Sequence, residues 1–259
     1  MQLDEALIFT KELAKKVGKI QKEKFKENFK VSTKSTDSDL VTEVDYLCEK
    51  IIREKIEEKF PNHNILGEEE GKAEKNSDYT WIVDPLDGTN NYALGYPVYS
   101  VSIALQFKDR IILGVIYLPE RDELYYAVKN GGVFLAEKKL KISGENYLSN
   151  STLVTGFPYD KADSDIDNLI PFKTIVKQAR GIRRSGSAAF DLVCVAAGIL
   201  DAVWEFKLSE WDTAAGKLMI EEAGGVVFET EINNSSLIIA GSEKIVEEIK
   251  TIILKIYKW

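Results

Sequence analysis

The segment Asp84-Pro85-Leu86-Asp87-Gly88-Thr89 sets two carboxylates three positions apart, followed at once by a glycine and a hydroxyl. Carboxylates so close can hold the same hard cation or two adjacent ones, and an all-oxygen donor set suits Mg²⁺ better than softer metals. Trp81, Ile82 and Val83 before them make a short apolar run of the kind that forms a buried strand. Pro85 lacks a donor, so the chain is expected to leave the sheet at Asp84-Pro85. Asp87-Gly88 is a turn signal, and Thr89 is a good helix N-cap. The segment therefore predicts a strand, a tight turn and a helix start, with the amides of Gly88 and Thr89 facing outward where an anion is favoured. A cation beside a helix start describes a phosphate site. Taken alone, the same residues also describe an ordinary Asp-Gly turn with an acidic neighbour.

Other stretches carry side chains of the same kind. Glu68-Glu69-Glu70 follows Gly67, and as a charge run it reads as a solvated loop. Trp211-Asp212-Thr213 opens a helical pattern, where an aspartate favours the positive end of the helix dipole. Thr42 and Asp45 stand three apart before an apolar helical pattern, the spacing of a capping box. Lys34 lies in a polar stretch, Val31 to Asp39, that reads as a loop. His63 is the only histidine and reads as loop surface. A single histidine is a poor zinc signal and leaves no second one in reserve for a Ser-His-Asp triad.

These residues need a scaffold. Leu3, Leu7, Ala14, Val17 and Phe25 predict an amphipathic helix over 3–29, and Val44, Leu47, Cys48, Ile51, Ile52 and Ile56 predict a second from Thr42. Phe60-Pro61-Asn62 ends it, and Asn64 to Gly67 is a short strand. After Tyr92, alternating residues at hairpin distances predict a meander: Val101 to Phe107, Ile111 to Leu118, Glu123 to Val128 and Gly132 to Ala136. From Ser149 strands and helices alternate. Strands are expected at Leu153 to Phe157, Ala202 to Phe206, Val226 to Phe228 and Leu237 to Ala240. Helices are expected at Asp165 to Gln178, Ala188 to Ala197, from Trp211, and from Ser242 to Tyr257. Residues 1–141 thus form two helices on a mainly antiparallel sheet carrying most of the candidate ligands. Residues 142–259 form an α/β half that completes the site within one compact body.

Composition narrows the function classes. With 259 residues and 44% hydrophobic content the chain can bury a sizeable core. Its net charge of −8 makes nucleic acid an unlikely partner, since nucleic-acid binding needs basic patches. Cys48 and Cys194 lie far apart without a pairing motif, as free thiols would in a reducing cytoplasm. Met1 to Phe9 carries acids and no long apolar core, so no signal peptide is expected. No apolar run approaches roughly 18 residues, so no membrane span is expected.

Taken together, Gly67-Glu68-Glu69, Asp84 to Tyr92 and Trp211-Asp212-Thr213-Ala214-Ala215-Gly216 resemble the inositol monophosphatase family, and Lys34, Leu40-Val41-Thr42 with Asp45, and Gly186-Ser187-Ala188 fit as well. The likeness extends over nearly the whole chain. It implies an α/β fold (αβαβα, a five-layer sandwich of the sugar phosphatase kind), a cytoplasmic homodimer, and a lithium-sensitive phosphatase that uses two or three Mg²⁺ ions. By the same resemblance, Glu68, Asp84 and the carbonyl of Leu86 hold one ion, and Asp84, Asp87 and Asp212 hold a second. Glu68 places a third through water, and so is counted with Thr89 and Asp45 as catalytic. Thr89 with Asp45 orients and activates the attacking water. The amides of Gly88 and Thr89 bind phosphate, Glu205 meets a sugar hydroxyl, and Gly186, Ala188 and Arg183 make further substrate contacts. Arg183 and Arg184 also resemble a bacterial form of the family whose arginines face a partner or a subunit boundary. Lys34 belongs to the mobile loop that closes over the ions.

The implied reaction is hydrolysis of myo-inositol 1-phosphate, or a related sugar phosphate, by metal-activated water. The alternatives are a fructose-1,6-bisphosphatase or broad sugar phosphatase, and a non-catalytic protein-binding role in a transcription complex. Physical chemistry agrees with the first group. Hydroxide attack on a phosphate dianion is opposed by charge, and Glu68, Asp84, Asp87 and Asp212 cannot share a small space without cations. Asp84→Asn is expected to lower kcat by several orders of magnitude with the fold intact, checked by Mg²⁺-dependent phosphate release beside circular dichroism. An active Asn variant would remove Asp84 from the metal site.

Overall fold

The computed structural model describes residues 3–25, 30–34, 36 and 39–258. The first half runs α1 (Leu3–Lys24), β1 (Val31–Thr33), β2 (Leu40–Thr42), α2 (Glu43–Lys59), β3 (Asn64–Gly67), β4 (Gly71–Ala73), β5 (Tyr79–Asp87), α3 (Thr89–Ala93), β6 (Ser100–Phe107), β7 (Arg110–Leu118), β8 (Glu123–Val128), β9 (Gly132–Leu135) and β10 (Lys138–Lys139). The second runs β11 (Thr152–Thr155), α4 (Leu169–Ile175), β12 (Gly181–Arg183), α5 (Ala188–Ala196), β13 (Ala202–Phe206), α6 (Glu210–Glu222), β14 (Val226–Ile232), β15 (Ser235–Gly241) and α7 (Glu243–Tyr257). The end of the first expected helix, residues 26–29, lies outside the described residues, as do 35, 37 and 38 of the expected loop.

Two large sheets result. One has eight strands in the order β10-β9-β8-β7-β6-β5-β3-β4, and the other has five in the order β12-β11-β13-β15-β14. In the larger sheet only β3 and β5 pair in parallel, and the rest is the antiparallel meander expected.

Period-2 alternation decides which helices lie on which face. Trp81, Val83, Val101, Ile103, Leu113 and Val115 face α1 and α2 in one core. Ile82, Ala104 and Ile116 face α5 and α6 in another, which Val154, Val203, Ile238 and Ala240 of the smaller sheet close from the far side. The opposite face of the smaller sheet, with Leu153, Trp204, Phe206 and Ile239, packs on Ile245, Ile249 and Ile253 of α7. The protein is therefore a five-layer αβαβα sandwich with α5 and α6 as its middle layer. No helix among the described residues is long and apolar enough to cross a membrane.

Several local expectations give way to tertiary context. The polar stretch from Val31 is a hairpin: β1 pairs antiparallel with β2, and the Lys34 amide bonds the Asp39 carbonyl at 2.7 Å. His63 lies in the loop after α2, as expected, but it is half-buried. Its ring stacks between Phe60 and Tyr79, and Nδ1 accepts from Trp81 Nε1 at 3.2 Å. The helix expected over 165–178 shrinks to Leu169–Ile175 because Asn168 takes a left-handed φ of 67°. Its amide is fully engaged, donating to Thr155 and the Gly156 carbonyl and accepting from Trp204 Nε1 at 2.8 Å. Holding β11 to β13 in that way outweighs one more helical turn.

The middle layer reaches the larger sheet at one tight point. A Cβ on Gly114 of β7 would lie 2.9 Å from Ala215 Cα and 3.0 Å from the Ala215 carbonyl oxygen, both backbone atoms of α6. Overpacking of this kind costs about 1–3 kcal/mol. Gly114→Val is expected to lower the free energy of urea unfolding by that amount, and an unchanged midpoint would show that α6 moves freely on the sheet.

Candidate active site

A cavity of about 610 Å³ opens where the end of β5, the turn after β3 and the starts of α3, α5 and α6 converge, and Glu205 of β13 reaches it from the smaller sheet. Its wall contains Glu68, Asp84, Leu86, Asp87, Gly88, Thr89 and Asp212, all the expected metal and phosphate residues.

The chain does not leave the sheet at Pro85. β5 continues to Asp87, and its pairing with β6 shifts between Asp84, opposite Ser102, and Asp87, opposite Ser100. Three steps on one strand against two on the other make a bulge, which houses a proline because the extra residue needs no ladder bond. The α1 helix fixes the bulge from behind, with buried Gln21 donating from Nε2 to the Pro85 carbonyl at 2.7 Å. Gly88, not Thr89, then occupies the cap position of α3 with a φ of 89°, a left-handed conformation that suits glycine.

Thr89 is instead the first residue of α3. Its hydroxyl lies 2.9 Å from Asp45 Oδ1 and 3.0 Å from the Leu86 carbonyl oxygen, so one proton serves two acceptors. Asp45 is fully buried, and its Oδ2 accepts from the amide and hydroxyl of Thr42 at 2.8 and 2.5 Å. The capping box is real, and the same carboxyl serves Thr89. Asp45 does not line the cavity and can act there only through that hydroxyl.

Asp87 sits against the start of α5. It accepts from the amides of Ala188 and Ala189 at 2.9 and 3.1 Å, from Ser100 at 2.9 Å and, by a short bond, from Ser187. Ala188 lines the cavity as expected, but its amide is spent on Asp87. Gly186 and Glu205 line the cavity too. Arg183 does not. It is exposed on edge strand β12, and its guanidinium bonds the Ile182 carbonyl at 3.2 Å. Its neighbour Arg184 reaches the cavity instead. Asp212 lies in the first turn of α6, where Oδ2 accepts from the Ser209 amide at 2.7 Å.

The three-glutamate turn is less solvated than its composition implies. Lys34 Nζ bonds Glu68 at 2.7 Å and Glu69 at 2.5 Å. From α2, the fully buried Glu49 accepts from the amides of Glu69 and Glu70 at 2.7 and 3.0 Å and from Arg53 Nε at 2.7 Å. Arg53 also bonds the Gly71 carbonyl. Sequence reasoning passed over this Glu49–Arg53 pair, whose only signal was an i, i+4 charge pair inside an otherwise apolar helix face. It also passed over Asp191 and Lys207, which line the cavity with no motif spacing to mark them.

Residues 2–254 match the inositol monophosphatase family. The chain is 42% identical to the Nus factor SuhB of Pseudomonas aeruginosa, over 83% of this chain and 83% of that one. It is 38% identical to an inositol-1-monophosphatase of Rhizobium meliloti, over 94% of this chain and 91% of the other. The solved inositol monophosphatase of Anabaena superposes with a TM-score of 0.87 at 35% identity, covering 98% of this chain and 97% of that one. The chain belongs to the inositol monophosphatase family.

Inositol monophosphatases are metal-dependent phosphatases, and the donor set fits a hard cation. Burial first, then the neighbouring charges of Glu68, Asp87 and Asp212, push the Asp84 carboxyl far above the usual range. Burial, then Glu68, raises Asp212 in the same direction. Burial raises Asp87 despite the opposing bonds from Ser187, Ser100 and the α5 amides. Glu68 and Asp84 are in carboxyl–carboxyl hydrogen-bonding contact, which needs a proton or a cation between two like charges. Among the described residues no three His, Cys, Asp or Glu side chains are drawn into a ready-made metal cage. The carboxyls are turned instead to Lys34, to the α5 amides and to the Ser209 amide. Burial alone would lower Lys34, but Glu68 and Glu69 outweigh it and raise its affinity for the proton.

This charge state sets a pH dependence. Burial holds Glu69 up to about 7, and burial with Asp87 and Asp191 as neighbours holds Asp191 and Glu205 up to about 8. Unfolded carboxyls titrate at about 4. Between those limits the folded chain carries more protons than the unfolded one, so stability falls as pH rises. In EDTA, Tm is expected to fall from about pH 5 to about pH 8. Mg²⁺ is expected to raise Tm, and more at the higher pH. A chelated protein whose Tm is flat or rises across that window would contradict the carboxyl assignments.

Proposed function

We propose that the protein hydrolyses the phosphate monoester of myo-inositol 1-phosphate or a related sugar phosphate, using Mg²⁺ held by Glu68, Asp84, Asp87, Asp212 and the Leu86 carbonyl. The observation that carries this reading is the convergence of those four carboxyls with Thr89 on one cavity. Bound divalent ions would neutralise the ester and the carboxyls and acidify the attacking water.

The chain's own residues do the rest. Thr89, held between Asp45 and the Leu86 carbonyl, has an oxygen lone pair with which to accept from the attacking water. It can pass its own proton to Asp45, whose buried carboxyl has a raised affinity for one. Gly88 and Thr89 at the start of α3 would hold the phosphate oxygens. Glu205, set apart from the phosphate end on β13, would receive a hydroxyl of the leaving alcohol. No Ser, Cys or His nucleophile is needed, since water attacks in line. The same reading carries a cytoplasmic homodimer inhibited by Li⁺, with two or three Mg²⁺ ions in each site.

The relative named Nus factor SuhB favours a second reading, a protein-binding role in a transcription complex. Asp84→Asn separates the two, because a binding role would survive it.

The deciding assay is Mg²⁺-dependent phosphate release from inositol 1-phosphate, fructose 1,6-bisphosphate, adenosine 3′,5′-bisphosphate and 2′-AMP. Inositol 1-phosphate is expected to lead. A matching rate on fructose 1,6-bisphosphate would make the protein a broad sugar phosphatase, and no turnover on any ester would overturn the enzyme reading.

A further inference from the structure

Asp191 stands in the first turn of α5, the helix whose first amides hold Asp87. It is only 3% exposed, yet it lines the cavity. Ser185 hydrogen-bonds its carboxyl, while the other oxygen, Oδ1, is buried with no hydrogen-bond partner among the described residues. Buried carboxyls kept for structure are normally satisfied on both oxygens, as Asp45 and Asp87 are here. Asp191 is thus a carboxyl on the wall of a substrate cavity that the protein itself leaves incompletely satisfied.

Its surroundings say what kind of ligand. Glu205 and Arg184 line the same part of the cavity, and both feel the Asp191 charge. Two carboxyls and a guanidinium lining one cavity suit groups that both donate and accept, which are hydroxyls. Three residues of helix put Asp191 about 5 Å farther along α5 than the amide that holds Asp87.

We propose that the Asp191 carboxyl, together with Glu205, receives a hydroxyl of the substrate's polyol and so sets the preference for polyol phosphates over simple alkyl phosphates. The proposal rests on the phosphatase reading above. It assigns Asp191 to specificity, not to metal binding or to attack.

The test compares inositol 1-phosphate with propyl phosphate, which keeps the phosphate and has no free hydroxyl. The wild-type enzyme is set against Asp191→Ala and Asp191→Asn in the Mg²⁺-loaded state. A site built to bond a hydroxyl discriminates strongly against a substrate without one. In Asp191→Ala the ratio of kcat/KM for the polyol ester over the alkyl ester is expected to fall by about tenfold to a hundredfold, mostly through KM. Asp191→Asn keeps an acceptor and a donor and is expected to restore most of the ratio. Neither variant is expected to lower Tm, because each removes a buried carboxyl with an unpartnered oxygen. An unchanged ratio in Asp191→Ala overturns the proposal, as does a fall in Tm with equal losses on both esters, which marks a structural residue. Wild-type turnover of propyl phosphate with no preference for the polyol overturns it and leaves the phosphatase reading standing. Turnover of neither ester by the wild type overturns both.

Discussion

The constraint on which the rest of the structure depends is the repulsion among the carboxyls gathered at the end of β5. Two unit charges about 4 Å apart at an effective dielectric of about 20 repel by about 4 kcal/mol. A domain's whole stability is only about 5–15 kcal/mol. Glu68, Asp84, Asp87 and Asp212 share one cavity, with Asp84 and Asp87 buried and Asp212 half-buried. Every element around them supplies compensation. The α5 amides and two serines take Asp87, the Ser209 amide takes Asp212, and Lys34 takes Glu68. What compensation leaves over is a standing affinity for cations.

The layered architecture makes that arrangement possible. Three of the four carboxyls come from the larger sheet, two of them across a bulge and one just beyond β3. The fourth comes from α6 in the middle layer. The α5 helix packs into the core between the sheets while its N-terminal amides point into the cavity, so one helix both joins the sheets and stabilises an anion. Contacts as tight as Gly114 on Ala215 hold α6 at the distance from β7 that Asp212 requires. On the proposed reading, the larger sheet fixes the substrate's phosphate end, and β13 and α5 its alcohol end.

Supporting interactions lie one step behind the residues that face the cavity. Glu49 and Arg53 shape the Glu68 turn through backbone bonds, although neither touches the cavity. Gln21 holds Pro85, and Tyr92 Oη bonds back to the Gln21 carbonyl at 2.7 Å, so α1, β5 and α3 lock one another. Asp45 combines two duties, capping α2 and bonding Thr89, because the N-terminus of α2 ends beside the start of α3.

What the sequence determined alone is local or periodic. The apolar run from Trp81 to Val83, the helical spacing from Val44 to Ile56 and the meander after Val101 follow from which residues of each element must be dry. The short-range spacings within Asp84 to Thr89, Thr42 to Asp45 and Trp211 to Asp212 marked the candidate ligands for the same reason, since each chemical unit lies within one turn. Arg183 and Arg184 are adjacent in sequence, and only the tertiary structure decided which of them reaches the cavity. Stacking of His63 between rings, the left-handed Asn168 and the Glu49 clamp likewise depend on partners from 3 to 36 positions away. Asp191 stands in the first turn of α5 with no motif spacing to mark it. Its unpartnered oxygen exists only because folding brings α5, β13 and the end of β5 around one cavity, and no local pattern records a distance that the packing of two sheets sets.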